Sequence, residues 1–249
     1  MDLVSQALRA GQHRPPALQP LERALVVGAG GTLGSAVLAE ALVGGRFQRV
    51  TAIVAEPLRS AVRGFDALPA AALEAGGALG ADVAFIVFER DRHSNGRDDA
   101  FLQPAVAELP AIASALWRGG VRRLVVVVPH APALLPQALK AGFGTLDEGA
   151  VAALGFEHLV FVRAAQTSVA RATGSLPHRL AAWWLSQLRW MVPQQEQAVR
   201  ASTLAALVVQ LARLLPQLPH GTRVLPPERL WQAAQSGWEA ALAAWLAPP

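Results

Sequence analysis

The sequence predicts an α/β protein: a doubly wound parallel sheet with a small C-terminal helical lobe. Three observations predict it. Short, almost wholly apolar runs alternate with helix-spaced segments through the first two thirds of the chain. A glycine-rich turn lies between the first such run and the first helix. After Arg163 the apolar runs give way to helical spacing.

Taken in order, residues 1 to about 20 carry Pro15, Pro16 and Pro20 and read as an N-terminal arm. From residue 21 to 249 the chain reads as a single domain. Ala24–Val27 is an apolar run that ends in glycine, which suits a buried strand. Thr32–Leu42 has helical spacing. Val50–Val54 is β-branched, and Asp82–Phe88 (DVAFIVF) is apolar after its first residue. Ala100–Arg118 reads as a helix closed by Gly119-Gly120, and Val121–Val128 (VRRLVVVV) as a strand. Thr145-Leu146-Asp147-Glu148 has the spacing of a capping box and opens a short helix that stops at Gly155. His158–Val162 is one more strand. Apolar strands separated by helices argue for a parallel sheet covered on both faces, because each strand must bury both rows of side chains. From about residue 170 the patterns are helical: Leu176–Met191, Ala198–Leu215 and Glu228–Leu246.

Composition narrows the functions open to such a fold. With 53% hydrophobic and 16% charged residues, the chain can build a core and is not a disordered one. No apolar stretch is long enough for a spanning helix, and the N-terminus lacks the basic head and apolar run of a secretory signal. The expected location is therefore cytoplasmic. The chain has no cysteine, so disulfides, thiolate metal sites and cysteine nucleophiles are excluded. It has no tyrosine either, and Lys140 is its one lysine. Its net charge of +4 is spread along the sequence, and no basic run is interleaved with aromatics, which argues against nucleic acid. His13, His158, His178 and His220 are dispersed, without metal-ligand spacing.

The segment Gly28-Ala29-Gly30-Gly31-Thr32-Leu33-Gly34 carries the functional signal. It stands after a strand, at the start of a helix, in the first unit of an alternating chain, which is where a Rossmann-type fold holds a dinucleotide. Gly28 permits a sharp turn, Gly31 leaves room for a pyrophosphate against the backbone, and Gly34 lets the helix pack close to the sheet. The free N–H groups of the helix start favour an anion. The other reading is a tight turn that binds nothing. Glu56, just past the second strand, can hydrogen-bond an adenosine ribose and favour NAD. Arg59 beside it argues for NADP, so the preference stays open. No G-x-S-x-G elbow is present, and no P-loop lysine follows the glycines.

From about Ala24 to Leu207 the chain resembles the atypical short-chain dehydrogenase/reductase family, in particular its small NAD(P)-binding, nucleoside-diphosphate-sugar-epimerase-like members. The resemblance rests on ALVVGAGGTLGSAVL, ADVAFIVF, ALWRGGVRRLVVVV, AALGFEHLVFVRA and AVRASTLAALV. It implies a Rossmann fold, an NADP or NAD cofactor and, in active members, a Ser-Tyr-Lys set in which the tyrosine moves a proton to or from the substrate oxygen. This chain departs at each catalytic position. The serine's place reads Val127-Val128-Pro129-His130. The Tyr-x-x-x-Lys pair cannot exist without a tyrosine, and Pro136 stands four residues before Lys140. Where members often carry a glycine after the fourth strand, Glu89-Arg90 stand here. These side chains either obstruct the cofactor or, for Arg90, meet a phosphate.

The expectation is therefore a dinucleotide-binding protein that is redox-silent or nearly so, a sensor or binder that has kept the cradle and lost the chemistry. A second reading keeps an NAD(P)-dependent oxidoreductase or epimerase in which His130 or Lys140 replaces the missing acid–base group and acts on a small molecule. A third is a scaffold with an unused cradle. For that reading Trp231, Trp238 and Trp245, seven apart, form a helix stripe able to make a homodimer, although such a stripe is more commonly the core-facing side of a terminal helix. Trp183, Trp184 and Trp190 are read in the same way, as core or lid. The charged segment Arg90, Arg92, His93, Ser94, Asn95 and Arg97 is read as a solvated loop, with a grip on an acidic ligand as the alternative.

Overall fold

The computed structural model describes residues 22–45, 47–58, 62–89, 98–130, 147–165, 200–237 and 245. Among the described residues seven strands form one sheet: β1 (Arg23–Val27), β2 (Arg49–Val54), β3 (Phe65–Pro69), β4 (Val83–Val87), β5 (Arg123–His130), β6 (His158–Ala165) and β7 (Gly221–Leu225). Their spatial order is β3-β2-β1-β4-β5-β6-β7, and every neighbouring pair is parallel. The helices are α1 (Gly31–Leu42), the single turn α2 (Ala71–Glu74), α3 (Leu109–Arg118), α4 over residues 147–152, α5 (Ala201–Leu214) and α6 (Pro227–Ser236). This is the doubly wound, Rossmann-type arrangement. Strand order reverses between β1 and β4, and the crevice at that reversal opens at the strands' C-terminal ends.

The strands are apolar on both faces because both faces are covered. One row of side chains (Ala24, Val26, Val83, Phe85, Val125, Val127, Val160) packs against α1, α5 and α6. The alternate row (Leu25, Val27, Ala84, Ile86, Leu124, Val126, Leu159) packs against α3 and α4. Every residue of β4 is buried. The core is therefore two layers divided by the sheet, and a one-residue slip in register would exchange them.

The C-terminal part departs in detail from a purely helical reading. Helix α5 lies beside α1 on the same sheet face and buries Leu204, Leu207, Val208 and Leu211. The chain then supplies β7, a seventh strand. Sequence reasoning passes over β7 and β3 because both are edge strands. β7 is largely accessible except at Leu225, and none of the five residues of β3 is fully buried. β3 also ends in proline, which an edge tolerates. The segment read as one helix from Ala100 breaks in two. Phe101 makes an isolated bridge to Val54, and α3 begins only at Leu109. Pro104 is the physical reason, since it disfavours helix in the residue before it and removes an N–H. The Glu108 carboxylate then accepts the Ala105 N–H at 2.6 Å and organises the real start.

At the tryptophan stripe, α6 stops at Ser236 and Gly237 takes φ +92°, so the three residues do not share one uninterrupted helix. Trp245 packs against the α1–α5 layer, Trp231 is half-buried, and Trp238 lies outside the described residues. The Leu176–Met191 pattern, with Trp183, Trp184 and Trp190, and the Thr145 start of the capping box also lie outside them. Among the described residues no helix is long and apolar enough to cross a membrane.

Among the described residues one polar residue is buried. His158 opens β6 with 2% of its surface exposed, its ring edge-on to His220 at 5.0 Å, and its Nδ1 has no hydrogen-bond partner. Burial pushes its pKa below the ordinary histidine value, helped by His220, Arg223 and Arg123 and opposed by Glu157. The folded protein thus holds this imidazole neutral, while the unfolded chain protonates it more readily. The contribution to stability is complete above the ordinary histidine pKa and is lost as the pH falls through that value towards the lowered one. Urea midpoints at about pH 7.5 and about pH 5.5 should show wild type losing more stability on acidification than His158→Leu. Equal losses would contradict this account of His158.

Candidate functional site

The glycine turn is built where β1 hands over to α1. Gly28 takes φ +84°, and a Cβ there would collide with the carbonyl oxygen of Val87 at the end of β4. A Cβ on Gly34 would strike the carbonyl of Gly28 itself. These two glycines therefore permit two close approaches of backbone to backbone: turn against β4, and helix against turn. Gly28, Ala29 and Gly30 are buried. Gly30 is the N-cap of α1, in extended conformation, and makes no side-chain cap hydrogen bond. The first N–H groups of α1 consequently face outward from the turn, with no partner in their own helix.

They find one in Glu89. This residue stands two positions past the end of β4, across the strand-order reversal from Gly28. Its Oε1 accepts the N–H groups of Leu33 at 2.6 Å and Gly34 at 2.9 Å, and its Oε2 accepts that of Thr32 at 3.1 Å. The space above Gly31 (φ +77°) is filled by the same group, since a Cβ there would lie 2.5–2.7 Å from the carboxylate atoms. A charged carboxylate at a helix N-terminus is favourable twice over, through hydrogen bonds to charge and through the helix dipole, by up to about 2 kcal/mol in a partly buried setting. Phe88 fixes the base of the side chain. It is fully buried, and its N–H donates to the Val127 carbonyl at 3.0 Å.

The expected cofactor-binding residues thus separate. Gly28, Gly30, Gly31, Thr32, Leu33 and Gly34 come together as one turn, which presents backbone to the crevice while Leu33 buries its side chain in the core. Glu56 lies exposed just past β2, where the Ala100 carbonyl receives its N–H and that of Ala55. Arg59 and Arg90 lie outside the described residues, as does Lys140 and the rest of the segment 90–97. His130 is the last residue of β5, paired in register with Ala165, at the same C-terminal edge of the sheet as Gly28 and Glu89. Among the described residues no group of three or more acidic or histidine side chains gathers as a metal site. The residue that sequence reasoning could only flag is Glu89. An acid opposite a glycine turn is visible in the sequence, but whether it points into the turn depends on side-chain direction at the strand end.

In a Rossmann-type turn the pyrophosphate of a nicotinamide dinucleotide would lie against the N–H groups of Thr32, Leu33 and Gly34. With the Glu89 side chain in its present position there is no room for it. The three N–H groups that would bind a phosphate are satisfied by Glu89, and the room above Gly31 is taken by the same carboxylate.

No protein-family model matches the chain, and no curated protein sequence matches it. Among solved structures it is similar to a candidate NAD-dependent epimerase/dehydratase from Bacillus halodurans, at 15% identity and TM-score 0.52, over 85% of this chain and 99% of that one. It is also similar to a Rossmann-fold NAD(P)-binding family protein from Shigella flexneri (14% identity, TM-score 0.47, 78% and 87% covered). A third is MoeE5 in complex with UDP-glucose and NAD (18% identity, TM-score 0.47, 82% and 75% covered). At such identities the likeness shows the fold alone, and the first of these carries it.

The turn geometry makes a sharp prediction. Gly34→Ala should destabilise the protein by about 3 kcal/mol or more, because the atoms it meets are backbone and cannot move aside. Gly149→Ala, in α4 with nothing within 4 Å, should instead stabilise by about 0.5–1 kcal/mol. Urea unfolding of the two variants checks both signs.

Proposed function

We propose that this chain is a redox-silent Rossmann protein that acts by binding at the glycine cradle and not by turning a substrate over. Its ligand would be a nicotinamide dinucleotide or another nucleotide carrying a pyrophosphate. The observation that supports this reading is the cradle itself. Three backbone N–H groups at the start of α1 converge on one anion beside Gly31, at the strand-order reversal. The chemistry of the resembling family, by contrast, has no counterpart. A phenol that shuttles a proton needs a tyrosine, and the chain has none. Val127, Val128 and Pro129 stand where a hydroxyl would be needed, at the end of β5. What the residues in hand can do is bind and orient. Gly28 turns the chain, Gly34 brings the helix close, and the N–H groups of Thr32, Leu33 and Gly34 hold negative charge.

A second reading is favoured by one specific observation. Glu89 already satisfies all three N–H groups, so it can equally be a permanent cap on α1, which would leave the fold a scaffold that holds no nucleotide. Trp245 is partly buried against the core, which spends part of the tryptophan surface such a scaffold would use.

The binding reading predicts thermal stabilisation by NADP(H) or NAD(H) with no oxidation of the reduced cofactor when aldehydes, ketones or nucleotide sugars are added. At a ligand concentration of a hundred times the dissociation constant, the stabilisation would be about 2.7 kcal/mol. Steady turnover at about 1 per second or faster with any such substrate would overturn the redox-silent reading.

A further inference from the structure

We propose that Glu89 is a built-in competitor for the phosphate of the ligand: an autoinhibitory side chain that holds the cradle closed until a pyrophosphate displaces it. The inference rests on the reading of the glycine turn as a phosphate cradle and adds what controls entry to it.

Three features of the contact carry it. First, the match is of kind as well as place. The carboxylate takes the same backbone donors, at 2.6, 2.9 and 3.1 Å, that a phosphate oxygen would take, so the two anions are mutually exclusive. Second, the cavity it fills exists because Gly31 has no side chain. Any Cβ there would meet the carboxylate at 2.5–2.7 Å, so residue 31 must be glycine for Glu89 to seat as it does. Third, the parts that would move are small. Phe88 is buried and tied to Val127 by its N–H, so the backbone is anchored up to the residue before Glu89. Rotation about the side-chain bonds of Glu89 is then enough to clear the N–H groups.

Because the competitor is part of the chain, it acts at a high effective concentration. A ligand that contacts the cradle alone should therefore bind poorly to the wild-type protein. The charge of a pyrophosphate favours it over a single carboxylate at the same helix end, and the rest of a dinucleotide would add contacts beyond the cradle.

The test compares wild type, Glu89→Ala and Glu89→Gln by calorimetry and thermal shift, with inorganic pyrophosphate and with NADP(H) and NAD(H) as separate probes. The proposal expects Glu89→Ala to bind inorganic pyrophosphate at least about tenfold more tightly than wild type. It expects the dinucleotide to gain by a similar factor. Should Glu89→Ala fail to fold, Glu89→Gln keeps an acceptor oxygen but loses the charge, and it too must bind more tightly than wild type. Tighter pyrophosphate binding without any dinucleotide binding would uphold the competitor and overturn the dinucleotide reading. Equal affinities in wild type and folded variants, or no binding of either probe by a folded Glu89→Ala, would overturn the proposal.

Discussion

The first N–H groups of α1 point towards the end of β4, and they require a hydrogen-bond acceptor. That requirement follows from the geometry of any helix start, where the leading N–H groups have no carbonyl of their own helix to meet. In this chain it is sharpened by two close approaches. Gly28 runs against the carbonyl of Val87, and Gly34 runs against the carbonyl of Gly28, so the helix start sits close against the end of β4. An outside anion can meet the need, or a side chain can. Here Glu89 meets it, and a shared anion-binding fold becomes a site with an internal occupant.

The rest of the architecture serves this junction. The sheet reverses strand order between β1 and β4, which leaves the crevice open at their C-terminal ends. Helices α1 and α5 lock one face and α3 and α4 the other, so β1 and β4 are buried on both sides and hold the turn and Glu89 in fixed register. The chain has no tyrosine, and Val127, Val128 and Pro129 precede His130 at the C-terminal end of β5.

Much of this was legible in the sequence, and the reasons differ by element. β1, β2, β4, β5 and β6 announce themselves because burial on both faces demands unbroken apolar runs. β3 and β7 do not, because an edge strand such as Phe65–Pro69 or Gly221–Leu225 is less fully buried and mixes Asp66 or Arg223 into its pattern. The late start of α3 was hidden by helix-like apolar spacing that Pro104 overrides. Gly28 and Gly34 were readable in position and in purpose, since a turn with close backbone contacts needs them there, whereas the space above Gly31, read as room for a pyrophosphate, holds the Glu89 carboxylate. The direction of the Glu89 side chain was not readable. A one-dimensional pattern places an acid after the fourth strand but cannot say which way it turns once Phe88 is pinned in the core.

The central claim is that Glu89 and not solvent satisfies the start of α1. Amide hydrogen exchange at Thr32 and Leu33 tests it most directly, because these N–H groups have no carbonyl of their own helix and owe any protection to the carboxylate. The account predicts slow exchange at both positions in wild type and fast exchange in Glu89→Ala, while the amides deeper in α1 stay protected in both. Rapid exchange at Thr32 and Leu33 in the wild-type protein, unchanged by the substitution, would contradict it.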